Sequence, residues 1–370
     1  MHPLPADVRI APWDPATADG ATWAAYHAFR RARYAESRPD DPVPPDADAE
    51  IWLRQPEVGG ASRRWLAWRD GAIVGAMGLG WVAEGPMFES NRHLVGGSGA
   101  VLRPHRRQGI GLALARRVLA ELEAQDRRTW TSQTIEDDGR AFLAWLGAVP
   151  KMEASENRLD LTRVDWDMVD RWAAEGPSRS PSTTLEFWPD RVPVEAYERY
   201  APALSQLFDT MPFDDLDHGQ TVFTPELLAD YQARIDRMNG HWHTMITREP
   251  DGTISGVTDV SYTPGQPDRI IQQFTGVHPD HRGRGLGKWL KAAMLRAAHA
   301  RHPDARWVIT GNANSNDPML AINRALGFTA HRGETVFQLD RDALRARLAE
   351  VDRGAPDAAP AAPGSGDGRP

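Results

Sequence analysis

Two short stretches of this chain combine arginine and glycine in a way suited to holding an anion. They are HRRQGIG from His105 and HRGRGLG from His281. Both carry Arg-x-x-Gly-x-Gly, as Arg106, Gly109 and Gly111 in one and Arg282, Gly285 and Gly287 in the other. Each follows a β-rich stretch (Leu94 to Leu102; Ile270 to Val277) and opens an amphipathic helix, LALARRVLAELEA or GKWLKAAMLRAAHA. Glycines at a strand-to-helix turn let the backbone curl with its N–H groups inward, beside the positive end of the helix dipole. That is a cradle for a pyrophosphate, to which Arg107, Arg284 and Lys288 would add charge. A dinucleotide fold would want Gly-x-Gly-x-x-Gly at its first βα turn. A P-loop would want Gly-Lys-Ser/Thr, but Gly287-Lys288 is followed by Trp289. The bland alternative is a glycine helix start that binds nothing.

The elements around the two turns recur in the same order, which marks an internal repeat. The turn glycines of WRDGAIVGAMGLG and EPDGTISGVTDVSY, Gly71 and Gly252, lie 181 residues apart. Arg106 and Arg282 lie 176 apart, and Gly147 of FLAWLGA and Gly327 of AINRALGF lie 180 apart. Each copy reads as a helical region, a hairpin at Asp70-Gly71 or Asp251-Gly252, a β-rich stretch, the glycine turn, a helix, a strand and a second helix. The fold class is mixed α/β, with two tandem domains. The expected boundaries are 1–165 and 183–348, a linker at 166–182 where AAEGPSRSPSTT breaks the pattern, and a disordered tail at 349–370.

At these residues the chain resembles the GNAT N-acetyltransferase superfamily. The resemblance rests on GAVLRPHRRQGIGLAL and TGVHPDHRGRGLGKWL, each with valine before the turn (Val101, Val277), and on Leu326-Gly327-Phe328. The tandem layout is similar to that of the mycothiol synthases and other duplicated actinobacterial acetyltransferases. The resemblance implies two GNAT-type domains and acetyl-CoA as acyl donor. Its pyrophosphate would lie on Arg282, Gly283, Arg284, Gly285, Leu286, Gly287 and Lys288. The pantetheine arm would lie between the strand ending at Val277 and the one ending near Gly311. A backbone N–H near Val277 or His278 would polarise the acyl carbonyl. Asn316 would hold the CoA arm, with Asn312 and Asn323 flanking it; helix capping by Asn316 or Asp317 is the other reading of that polar cluster. In the first copy Val101, Arg106, Arg107, Gly109 and Gly111 match the cradle.

The resemblance also shows departures. Where many relatives carry a tyrosine to protonate the leaving thiolate, this chain has Leu143 and Asn323. Asn323 would bond the sulfur or the substrate without titrating, leaving water or another tyrosine such as Tyr262 as acid. Asp259 is the leading general base, unless its strand register turns it to solvent. Asp214, Asp215, Asp217 and His218, in MPFDDLDHGQ, would hold a cationic amine or form a plain acidic loop. The corresponding first-half strand, HLVGGSGAVL, has glycines where a base would stand, so catalysis is expected in the second half.

Composition narrows the classes further. The chain has 370 residues, 41% hydrophobic and 25% charged, with no cysteine and a net charge of −8. That excludes disulfides and a cysteine nucleophile, and argues against a nucleic-acid partner. No apolar run reaches membrane-spanning length and the N-terminus lacks a secretory pattern, so a cytoplasmic protein without a membrane partner is expected. His241 and His243 alternate on a strand with no third ligand evident, so no metal site is expected. The expected function is acetyl transfer to the amine of a small molecule by a monomer or weak homodimer. Alternatives are a non-catalytic acyl-CoA-binding or regulatory protein and a protein N-acetyltransferase.

Overall fold

The computed structural model describes residues 4–353. In the first half the elements run β1 (Val8–Pro12), α1 (Gly20–Ser37), α2 (Asp46–Arg54), β2 (Gly60–Arg69), β3 (Ala72–Val82), α3 (Phe88–Asn91), β4 (Leu94–Gly96), β5 (Gly99–Val101), α4 (Ile110–Ala124), β6 (Thr129–Thr134), α5 (Asp137–Leu146) and β7 (Val149–Asp160). The second half runs α6 (Trp166–Arg179), β8 (Thr184–Trp188), α7 (Tyr197–Phe208), α8 (Pro225–Arg237), β9 (His241–Arg248), β10 (Ile254–Tyr262), β11 (Arg269–Val277), α9 (Leu286–Arg301), β12 (Trp307–Ala313), α10 (Asp317–Leu326), β13 (Thr329–Asp340) and α11 (Arg341–Arg353).

Local chemistry fixes many boundaries. Asp70 and Gly71 both have positive φ (49° and 77°), as a two-residue hairpin between β2 and β3 requires. Gly147 and Gly327 (φ 96° and 99°) end α5 and α10 in the left-handed conformation that glycine adopts without strain. Asp165 accepts from the Met168 N–H at 2.9 Å and so starts α6.

The expected linker is therefore a helix. Residues 166–179 form α6, which packs along α9 so closely that a Cβ on Gly176 would overlap the Trp289 indole. Gly and Pro in AAEGPSRSPSTT read as breakers, but Gly176 serves a helix crossing and Pro177 sits near a helix end. Residues 349–353 of the expected tail belong to α11, which continues to Arg353. The remainder of that segment lies outside the described residues.

The two halves are laced together. Among the described residues thirteen strands form one sheet in the order β1-β2-β3-β4-β6-β13-β7-β12-β11-β10-β9-β8, with β5 on β3. Each half sends its last strand across: β7 pairs with β12, and β13 pairs with β6. The following helices cross too. Leu159, Leu161, Val164 and Val169 are buried in the second-half core with Leu290 and Leu326. Phe337, Leu339, Leu344 and Leu348 are buried in the first-half core with Leu114 and Trp130. Two boundaries at one point in each repeat, not a linear pair of beads, describe this chain.

The exchange leaves one gap in each half. β11 and β12 are parallel and pair only over Arg269–Ile271 and Trp307–Ile309. Beyond that, Thr310–Ala313 bonds to β7 and Thr275–Val277 bonds to β10, so among the described residues their facing edges have no partner strand. In the first half β4 pairs with β6, whereas β5 pairs only with β3.

Candidate active site

The second glycine turn sits where β11 leaves that gap. Gly283 and Gly285 have φ of 78° and 85°, which curls the chain back before α9. Among the described residues no side chain caps α9, so its first-turn N–H groups remain available to an anion. Arg282 Nε donates to the Val277 carbonyl at 3.1 Å and ties the turn to the end of β11. Leu286 is buried beneath, and a Cβ on Gly287 would press to 3.3 Å from Ile322, which explains why the helix start is glycine.

The charges around it differ from expectation. Arg284 turns away from the cradle and pairs with Glu249 at 3.1 Å, also reaching Thr183 and His281. A buried carboxylate beside it wins over an exposed turn. Arg179, at the end of α6, takes its place: a Cβ on Gly285 would lie 3.0 Å from its Nε. Arg179, Arg282 and Lys288 are exposed and, among the described residues, have no carboxylate partner. Lys288 lies 4.9 Å over the Trp172 ring. Arg179 is legible only through α6, so the assignment of a linker hid it.

The first turn has the same shape, but its arginine is paired with carboxylates. Gly109 has φ 79°, and Arg107 takes φ 61° where the second copy has Gly283. Arg106 Nε holds the Val101 carbonyl at 2.9 Å, but its guanidinium is matched by Asp138 at 2.9 Å, Glu136 at 3.3 Å and Glu36 at 3.7 Å. Glu36 also accepts the Arg103 N–H at 2.8 Å. Glu136 precedes α5 at the point where Asn316 caps α10. Three carboxylates therefore occupy the Arg106 guanidinium, in a network that also takes in Arg33 and Arg103.

In the gap, the His278 N–H is already bonded to the Ser255 carbonyl at 2.9 Å. Strand alternation turns the Val277 N–H the other way, toward β12. Of the two backbone donors expected to polarise a carbonyl, Val277 is the one left. Gly311 faces open space on the β12 side, with nothing within 4 Å of a Cβ there. A bulge places Asp259 opposite Phe274 and Val260 opposite Gln272, so Gln273 is skipped. Gln273 is exposed on a strand whose other residues are buried or half-buried, and it donates to Ser261 at 2.8 Å. Its exposure depends on the bulge, which nothing in the local sequence announces.

Asp259 takes the inward register and is 3% exposed. Its Oδ1 accepts from the Phe274 N–H at 2.8 Å and Oδ2 from Trp242 Nε1 at 3.1 Å. Burial nevertheless pushes its carboxyl up to about 7, the range of a general base at neutral pH. Tyr262 is misplaced for an acid. It stacks on His302 at 3.8 Å, at the far end of β10 from Ser255 and thus about 20 Å along the strand from the His278 contact. Asn323 is 1% exposed and donates to Asn312 Oδ1 at 2.9 Å. Leu143 is packed in the first-half core. Asn316 accepts the Met319 N–H at 3.4 Å, as a helix cap does.

The acidic loop between α7 and α8 reaches across the halves. Asp214 accepts from Ser315, which places it beside the Asn312–Asn316 cluster. The Asp215 N–H bonds Lys151 at 3.3 Å, His218 packs 4.0 Å from the Phe213 ring, and Asp217 bonds His93 at 3.0 Å. His241 and His243 do gain a third histidine, His302, at 2.7 Å from His243. Among the described residues the trio with metal-ligand spacing is Asp41, Glu156 and His331. Arg38, Arg158, Arg269 and Arg332 already neutralise its carboxylates, which disfavours a cation.

A glycine turn at a splayed strand pair, repeated in each half, defines an acyltransferase architecture. The model of the acetyltransferase (GNAT) family matches residues 23–147 and again 204–328, so the chain belongs to that family and is a tandem N-acetyltransferase. Both matches end just before the strands that cross between halves. The chain is 27% identical over 309 residues to a mycothiol acetyltransferase of Thermomonospora curvata, covering 82% of this chain and 90% of that protein. A tandem GNAT protein from the clavulanic acid biosynthesis pathway superposes with a TM-score of 0.72 at 25% identity, over 90% of this chain and 98% of that one. A GCN5-related N-acetyltransferase from Sphaerobacter thermophilus shares the fold, with a TM-score of 0.63 at 15% identity over 92% and 97% of the two chains. Among the described residues no helix is long and apolar enough to cross a membrane.

Proposed function

We propose that the second half binds acetyl-CoA and passes its acetyl group directly to a primary amine of a small molecule. The observation that carries this reading is the contrast between Arg282, with no carboxylate partner among the described residues, and Arg106, matched by three. The α9 N–H groups, Arg282, Lys288 and Arg179 would hold the pyrophosphate. The unpaired edge of β11 offers hydrogen bonds to the pantetheine arm, and the Val277 N–H polarises the thioester carbonyl. Asp259 takes the proton that the amine must lose. Asp214 and Asp215, with His218 in the same loop, lie on the acceptor side and would attract a cationic amine. The β7–β13 junction already joins two halves within one chain, which supports a monomer.

Calorimetric titration with acetyl-CoA tests this directly, with one site per chain expected. Gly285→Glu should abolish that site, because it adds a carboxylate to the cradle at a left-handed position. Gly109→Glu should leave binding and turnover largely intact. Two equal sites, or equal losses from both variants, would refute the division of labour. Release of free CoA on screening primary amines would establish turnover, and none with any amine would favour a binding protein.

A further inference from the structure

Lys291 on α9 is 3% exposed, and burial lowers its ammonium to about 7. Its Nζ donates to Asn323 Oδ1 at 2.7 Å and lies 5.2 Å from the centre of the Phe328 ring. Among the described residues no carboxylate pairs with it. Asn323 Nδ2 donates in turn to Asn312 Oδ1 at 2.9 Å, and the same oxygen accepts from Asn157 Nδ2 at 3.4 Å. With its oxygen held by two donors, Asn312 keeps its own N–H pair without a protein acceptor among the described residues. It stands next to Gly311 on the part of β12 that no longer pairs with β11.

The first half shows what the fold needs without this chain of bonds. Ala115 and Leu143 hold the places of Lys291 and Asn323, and both are buried in an apolar core. The same architecture thus closes around alanine and leucine. A buried ammonium with a single neutral partner lowers stability, so its presence in one half calls for a use.

We propose that Lys291 and Asn323 are positioning residues for the leaving group. They hold Asn312 with its amide N–H free at the gap and set a positive charge behind it. The CoA sulfur then departs as a hydrogen-bonded thiolate, without a phenolic acid. This rests on the second half being the acyl-CoA site. The cationic amine first gives one proton to solvent; the neutral nitrogen's electron pair then forms the C–N bond and the C–S pair leaves with sulfur. The nitrogen's proton goes to Asp259, and the thiolate later takes one from water. Lys291 does not give its proton to the sulfur: it is charged below about pH 7, and the departing thiolate favours that charged form. A thiolate in the gap and the Lys291 ammonium stabilise each other, so each favours the charged form of the other.

CoA with its free thiol is the probe, and the ultraviolet absorbance of its thiolate against pH is the measurement. The protein has no cysteine, so any thiolate signal belongs to the ligand. Below about pH 7, where Lys291 carries its proton, the thiolate fraction of CoA bound to the whole chain should be about tenfold that of CoA in solution, and the excess should fade as Lys291 titrates. Lys291→Met and Asn323→Leu should return it to the solution value, whereas Lys291→Arg should keep most of the shift. Lys291→Ala, which copies Ala115, provides a second variant suited to folding and should behave like Lys291→Met. An unshifted thiol in the wild type, or an undiminished shift in the Met and Ala variants, would overturn the proposal. Failure of CoA to bind the wild type would remove the site assignment as well.

Discussion

Phe274 gives its backbone N–H to the Asp259 side chain at 2.8 Å, where a regular strand would give it to a carbonyl. The bulge that skips Gln273 makes this possible, and it fixes the carboxyl inside the sheet between β10 and β11. Burial raises the folded-state pKa of Asp259 from 3.8 to about 7. Between those values the folded chain holds a proton that the unfolded chain has lost. The contribution to stability is therefore full below about pH 4 and is lost as pH rises through 7. Asp259→Asn should gain stability relative to the wild type between pH 4 and 8, by up to about 4 kcal/mol. The same variant should lose roughly a hundredfold in kcat, together with any rise in rate near pH 7. Urea melts at several pH values check the first part and a pH–rate profile the second; parallel melts would rule out a buried, proton-holding Asp259.

Arg179 bears on affinity rather than on chemistry. Its guanidinium overhangs Gly285 and is exposed, so it should attract the pyrophosphate without touching the thioester. Arg179→Ala should weaken acetyl-CoA binding by about tenfold at low salt and less at high salt, with kcat at saturation unchanged. Titrations at two ionic strengths would decide it. A loss independent of salt would mean that Arg179 acts through packing.

Gly176 tests whether α6 is structural. An added Cβ would meet the Trp289 indole, and both sit at the crossing of α6 and α9. Gly176→Ala should destabilise the chain by about 1–3 kcal/mol through overpacking, despite the better helix propensity of alanine. Gly20→Ala, with nothing within 4 Å, is the control and should change stability little. Denaturant midpoints for the two variants provide the comparison. No loss at Gly176 would show that α6 is loosely docked.

The repeat and both glycine turns were legible because short-range chemistry writes them. Asp70-Gly71, Gly285 and the Gly147/Gly327 helix ends each need a positive φ, and the residue type records that need. Four features were not legible. Gly176 reads as a helix breaker until Trp289 is known to lie against it. The crossing of β7 and β13 leaves no mark, since either strand alternates suitably for either half. Arg284 and Arg282 look equivalent in HRGRGLG, and only Glu249, far away in sequence, draws Arg284 aside. His302 likewise joins His243 across 59 residues, so the spacing of His241 and His243 could not reveal it.

That histidine pair should set the acid limit of stability. The Asp190 N–H donates to His243 Nδ1 at 2.9 Å, so the proton of neutral His243 sits on Nε2 and points at His302 Nε2, 2.7 Å away. Protonating His302 at that nitrogen would set donor against donor, and both rings are buried. His241 and Arg301 also face the pair, with Asp190 as the opposing charge. Burial first, and the neighbouring cations after it, lower both pKa values from 6.5 to about 4. Between these values the unfolded chain binds protons that the folded chain refuses. The stability contribution is thus present above pH 6.5 and is lost as pH falls toward 4, with a slope of up to about 1.4 kcal/mol per unit from each ring. His302→Gln keeps an acceptor for His243 and should remove one ring's share of that slope. Its stability should therefore fall less steeply than the wild type's between pH 6.5 and 4, as chemical melts across that window would show. An unchanged slope would mean that His302 is already protonated in the folded chain, and the hydrogen bond assigned to it would then be wrong.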